Sequence, residues 1–230
     1  MIMKRPEILI LAGSLLAGLP ALAQGVLTNE HTDVDVGYDP ASKQWNLILH
    51  DETHDRELDP AITVVQVGPE AFRQAPAFFG GGVAYILPQI QDPNLVYLGT
   101  SGEDVDRGIF KNDEMTLTLK AIDGPGKFAL YSVVGLGTTT VFMNTQDGVS
   151  AADRVIVPAL GHTDYNWAFS QPGSYTLTFE GSGILNDGLN TPTVSEPVAY
   201  HFNVVPEPGT WALAGVGTLA LWLTLRRRTA

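Results

Sequence analysis

Trp45-Asn46-Leu47-Ile48-Leu49-His50 is the stretch on which the fold class turns. Side chains alternate across a strand, so a period of two sets Trp45, Leu47 and Leu49 on one face and Asn46, Ile48 and His50 on the other. Upstream, Asp33 to Asp39 alternates in the same way, with Val34 and Val36 opposite Asp33 and Asp35, and breaks at Asp39-Pro40. Downstream, Ile62 to Val67 is a continuous β-branched run that reads as a buried strand, and 69–76 holds one short helical turn or plain loop. Further β-type runs follow at Val83 to Leu87, Leu95 to Leu98, Met115 to Ile122, Phe128 to Val134, Thr139 to Met143, Arg154 to Val157, Tyr165 to Phe169, Ser174 to Glu180 and Val198 to Val205. Asp123-Gly124-Pro125-Gly126, Gln146-Asp147-Gly148, Gln171-Pro172-Gly173 and Asn186-Asp187-Gly188 supply the turns. The expectation is an all-β domain, an antiparallel two-sheet sandwich of immunoglobulin-like or jelly-roll type, with a closed barrel as the alternative.

Both ends of the chain differ in kind from this middle. Residues 1–23 carry Lys4 and Arg5, an apolar run from Ile8 to Leu19, and Ala21 and Ala23 on either side of Leu22. That is the pattern of a secretory signal peptide cut between Ala23 and Gln24, which makes the Sec translocon and signal peptidase expected partners. At the other end, Pro206-Glu207-Pro208 cannot continue a strand, because proline fixes φ and has no N–H to donate. Thr210 to Leu225 then runs uncharged for 16 residues and ends in Arg226-Arg227-Arg228. As a helix this run reaches about 24 Å, slightly short of a hydrocarbon core of about 30 Å. Trp211 and Trp222 near its ends and the arginines after it predict a transmembrane helix in the inner membrane, with the arginines cytoplasmic. The order Pro-Glu-Pro, short apolar helix, basic cluster resembles a PEP-CTERM sorting signal, and that resemblance implies recognition and cutting by an exosortase. Three segments result: 1–23, a β domain over 24–205, and a tail over 206–230.

Taking the ends away leaves 8 basic and 23 acidic residues in the middle segment, a net charge of −15. Phosphate binding needs clustered Lys and Arg, and here they stand singly, so nucleic acid is excluded as an expected partner. There is no cysteine, so disulfides, thiolate metal sites and cysteine nucleophiles are excluded, and stability outside the cytoplasm rests on the core.

Several stretches of the middle segment together resemble the choice-of-anchor M domain of exported surface proteins. They are Glu30-His31-Thr32-Asp33-Val34-Asp35-Val36, Trp45 to Glu52 with His50-Asp51-Glu52, Leu87-Pro88-Gln89, Gly124-Pro125-Gly126, and His162-Thr163-Asp164-Tyr165-Asn166-Trp167-Ala168-Phe169 with Gly173-Ser174-Tyr175. The resemblance implies a shared ectodomain carried on different anchors, and for some relatives an association with metal-type transporters; it implies no activity. Relatives commonly show a His-x-His pair where this chain has His162-Thr163-Asp164 and Ile48-Leu49-His50. Ile48 removes one donor, whereas Asp164 replaces a ring nitrogen with an oxygen that also binds zinc.

Motifs for catalysis are missing. The chain has no Gly-x-Ser-x-Gly, no His-Glu-x-x-His and no phosphate-binding glycine loop, and Gly80-Gly81-Gly82 leads into a strand. Asp51-Glu52 and Glu103-Asp104 with Asp106 are carboxylate pairs of the kind glycosidases use, but they occur by chance in so acidic a chain. Asn186-Asp187-Gly188 lacks the spaced ligands of a calcium loop and reads as a turn. Trp45, Tyr165 and Trp167 make a sugar-stacking platform if exposed and part of the core if not. The histidines offer more: His-x-Asp recurs at 31–33 and 162–164, and residues two apart share a face. His31, Asp33, His50, His162 and Asp164 are therefore candidate ligands for a divalent metal, zinc above all. Three functions remain, in this order: a non-catalytic surface or matrix domain binding glycan or protein, a divalent-metal-binding ectodomain, and a secreted hydrolase.

Overall fold

A computed structural model describes residues 25–207 and 209, of which 57% is strand and 5% helix. The expected signal peptide and transmembrane helix lie outside the described residues. Among the described residues no helix is long and apolar enough to cross a membrane.

Seventeen strands succeed one another among the described residues: β1 (Gly25–Leu27), β2 (His31–Asp39), β3 (Gln44–Asp51), β4 (Arg56–Leu58), β5 (Thr63–Val67), β6 (Phe72–Gln74), β7 (Val83–Leu87), β8 (Tyr97–Ser101), β9 (Phe110–Asp123), β10 (Phe128–Val134), β11 (Thr138–Asn144), β12 (Arg154–Pro158), β13 (His162–Asp164), β14 (Asn166–Phe169), β15 (Gly173–Leu185), β16 (Pro192–Val194) and β17 (Val198–Val204). Three short 3-10 turns complete the list, one at Pro69–Ala71 where a helical turn or loop is expected.

The strands form three sheets. One runs β1-β5-β17-β15-β9-β12 with β16 added to β15; the second runs β11-β10-β14-β7-β6; the third runs β13-β8-β2-β3-β4. This departs from the expected two purely antiparallel sheets. Three pairings are parallel, β1 with β5, β5 with β17 and β2 with β8. A parallel pair needs a crossover through the rest of the chain, and no local turn announces it.

The two smaller sheets pack side by side on the large one. Trp167 and Phe169 of β14 lie against Phe202 of β17 at ring separations of 5.9 and 5.2 Å, which joins the second sheet to the large one. Trp45 of β3 stacks on Phe110 of β9 at 5.3 Å and joins the third. Strand β15 spans both contacts. Its Tyr175 meets Phe169, while Gly181 leaves room for Trp45 and Leu47. The Tyr175 hydroxyl also donates to the carbonyl of Gln171 four residues back at 2.8 Å, the tyrosine-corner arrangement of β-sandwiches. The architecture is thus sandwich-like, with its second layer divided.

The segment from His162 to Phe169 bridges that division. Its first half, β13, pairs with β8 in the third sheet, and its second half, β14, pairs with β10 and β7 in the second. Tyr165, Trp167 and Phe169 point into the core as period two requires, and the Trp167 indole, 0% exposed, donates to the carbonyl of Leu98 at 2.9 Å. The burial of Tyr165 and Trp167 removes the aromatic platform considered above. Trp45 is half-buried, with its indole donating to Thr193 at 3.1 Å.

Candidate metal centre

Register brings the site together on the outer face of the third sheet. Asp33 on β2 sits opposite Gly99 on β8, and Gly99 sits opposite Asp164 on β13. His31 is level with Tyr97, and His162 with Ser101. Cross-strand partners share a face, so these side chains surround one point above Gly99. Glycine is needed there: an added Cβ would collide with Asp33 Oδ1 and lie 2.9 Å from the Thr163 carbonyl and 3.0 Å from Asp164 Oδ1.

His31, His162 and Asp164 each offer a ligand atom, and these atoms lie within 4.8 Å of one another. His31 Nε2 is 3.6 Å from Asp164 Oδ1, and His162 Nε2 is 3.7 Å from Asp164 Oδ2. Those spacings are long for hydrogen bonds. They approach the separation of about 3.4 Å between neighbouring ligands of a tetrahedral zinc.

Supporting contacts orient the donors. Tyr97 donates its hydroxyl to Asp164 Oδ2 at 2.6 Å, and its ring lies 4.8 Å from that of His31. Glu103 Oε1 is 3.2 Å from His162 Nδ1, so that nitrogen carries the proton and Nε2 is left to face the site. Glu103, one of the carboxylates noted in the sequence, is thus a hydrogen-bond partner of His162.

Asp33 is the anomaly. The alternation in β2 reads as a polar outer face, yet Asp33 is 1% exposed and neither of its carboxylate oxygens has a hydrogen-bond partner. His31 Nε2 and Asp164 Oδ1 are buried and unpartnered as well. Burial pushes the Asp33 carboxyl up to about 7; His162 opposes this, and the charges of Asp164, Glu52 and Glu103 add to it. For His162 burial is the largest single influence and lowers the imidazole. The Glu103 hydrogen bond and the charges of Asp33 and Asp164 outweigh it and raise the pKa. A buried carboxylate without a partner costs free energy as an anion, and either takes up a proton or is matched by a cation.

His50 does not join this group. It lies opposite Asp33 across β2 and β3, but its ring turns to Glu52 at 3.0 Å and Asp55 at 3.7 Å. Of the five candidates, then, the fold collects His31, His162 and Asp164, places Asp33 beneath them, and sets His50 one strand aside. His54 and Arg56 serve Asp51, at 2.9 and 2.8 Å, in the turn after β3, which accounts for that carboxylate too. Asp187 accepts from Leu189 N and from the Thr191 hydroxyl and closes a turn. Gly99 escapes the sequence reading because the strand there is expected over Leu95 to Leu98, whereas it runs from Tyr97 to Ser101. A glycine inside an alternating strand was the available signal.

Strand β17 ends at Val204, and Val205 makes one last hydrogen bond to Val67 O before the prolines. Residues 204–228 match the PEP-CTERM protein-sorting motif. The chain therefore carries the signal of an exported, exosortase-sorted surface protein, and the β domain ends where that tail begins. No curated protein matches the chain.

Proposed function

We propose that the β domain is a divalent-cation-binding ectodomain, delivered to the cell surface by its PEP-CTERM tail. One observation carries the reading: two imidazoles and the Asp164 carboxylate offer ligand atoms within 4.8 Å of one another beside Gly99, and His31 Nε2, Asp164 Oδ1 and both oxygens of the adjoining Asp33 are buried without hydrogen-bond partners. His31, His162, Asp164 and Asp33 would hold the ion, and two nitrogens with carboxylate oxygens suit zinc, with manganese or iron as neighbours in preference. The bound cation would neutralise the carboxylates and tie β13 to β2 across β8. The domain is non-catalytic on this reading. The glycan-binding alternative loses its aromatic platform to the core, and the metal-binding alternative takes first place. The resemblance to choice-of-anchor M domains and the hint of metal-type transporters agree with it. Removal of residues 1–23 and a transient hold in the inner membrane through 210–225 complete the proposal.

The test is the metal content of the full chain, purified in detergent, stripped with chelator and dialysed against zinc. Stoichiometric zinc in the wild type and its loss in His31→Ala/His162→Ala are expected. Equal and substoichiometric zinc in both would remove the reading.

A further inference from the structure

The two oxygens of Asp164 have different surroundings. Oδ1 is buried without a hydrogen-bond partner, 3.6 Å from His31 Nε2, and lies over Gly99, 3.0 Å from where a Cβ would stand. Oδ2 accepts the Tyr97 hydroxyl at 2.6 Å and is 3.7 Å from His162 Nε2. The place of that hydroxyl is set by β8. Tyr97 is level with His31 on β2 and precedes Gly99 by two residues, so it shares the face of the site and is the diagonal neighbour of Asp164 on β13. Its backbone N–H donates to the Glu30 carbonyl at 3.0 Å, and its ring rests against that of His31 at 4.8 Å. A phenol keeps its proton at neutral pH and donates it, so one oxygen of Asp164 is engaged and the other is free for a cation.

We infer that Tyr97 is a positioning residue that makes Asp164 a one-oxygen ligand and so sets the preference of the site for zinc over manganese. The inference rests on the reading of His31, His162 and Asp164 as a metal centre. A carboxylate binds a metal through one oxygen or through both, and the hydrogen bond from Tyr97 favours the first by holding Oδ2 away from the ion. Single atoms from His31, His162, Asp164 and Asp33 then make four donors, the number that zinc takes in closed protein sites. Manganese takes more donors and favours oxygen, so a chelating Asp164 would serve it better. Tyr97→Phe removes the hydroxyl while keeping the ring against His31, and frees Oδ2 to turn onto the ion. Groups that hold a ligand from behind typically change metal affinity about 10–100-fold when removed.

The experiment measures zinc and manganese affinities of the full chain, stripped with chelator in detergent, by competition with a metal-binding dye. It also records the visible spectrum with cobalt(II) in place of zinc, whose bands are intense with four donors and weak with more. The wild type is expected to prefer zinc and to give the intense cobalt bands. Tyr97→Phe should lower the ratio of zinc to manganese affinity by about tenfold or more and weaken those bands. Tyr97→Phe/Asp164→Asn, in which an amide offers the ion a single oxygen, should recover the wild-type ratio. An unchanged ratio in Tyr97→Phe, or an equal loss of both metals, would overturn the inference and leave the metal centre standing. A ratio that stays low in the double variant would overturn it as well. Absence of zinc, manganese and cobalt from the wild type would overturn the metal centre itself and the inference with it.

Discussion

Gly99 decides the site by what it lacks. Any β-carbon at 99 meets Asp33 Oδ1 and the Thr163 carbonyl, the latter part of the backbone and unable to step aside. Gly99→Ala should therefore abolish zinc binding at least as completely as loss of a ligand, although every ligand remains; calorimetric titration with zinc is the check, and unaltered affinity would contradict the geometry. Trp167 is the corresponding residue in the core. It is fully buried against Phe202, Phe179 and Phe128 and donates to Leu98 O. Trp167→Ala should cost about 3–5 kcal/mol in denaturant unfolding, because it opens a cavity and removes a buried hydrogen bond. A loss below about 1 kcal/mol would be the value for an exposed ring.

The outer face of the β13-β8-β2-β3-β4 sheet is an element in which carboxylates have been buried together, and its pH behaviour follows. Asp33 is pushed up to about 7 and Asp35 to about 6, in both cases by burial first and by neighbouring carboxylates next. In the metal-free protein these groups hold protons that the unfolded chain releases from about pH 4 upward, so stability should fall as pH rises from about 4 to 7 and then level off. His162 acts in the same direction: its pKa is raised in the folded state, so its contribution is present below the ordinary histidine value and fades as pH passes the raised one. The sum should be on the order of a few kcal/mol. Saturating zinc should reverse the trend, because the cation takes the place of the protons. Thermal melts in chelator and in zinc across this range would show it, and parallel profiles would speak against a cation on this face.

For the molecule as a whole, the sorting motif at 204–228 begins where the last described strand ends. Among the described residues the core runs from Leu27 to Val204. Deleting Arg226 to Arg228 should impair sorting and processing while leaving the melting temperature of the β domain unchanged. The intact mass of the surface form should correspond to a start at Gln24 and the absence of the three arginines. A surface species that retains all 230 residues would contradict both processing steps.

The all-β class, the positions of the main strands and the break at Pro206 were determined by the sequence alone, because period-two alternation, turn residues and proline act over a few neighbours. Val83–Leu87 and Phe128–Val134 have in the structure the bounds expected of those β-type runs. His-x-Asp at 31–33 and 162–164 also marked two half-sites, since residues two apart must share a face. Tertiary structure decided the rest. The parallel pairing of β2 with β8 and the seating of β13 on β8 bring those half-sites, more than a hundred residues apart, around Gly99. The same pairings turn the polar face of β2 from solvent-exposed to buried, and leave His50 one strand away from the ligands it was expected to join. Alternation tells which side of a strand a residue faces; what lies over that side depends on which distant strands pair beside it, and backbone hydrogen bonding between strands is blind to the side chains that carry the local signal.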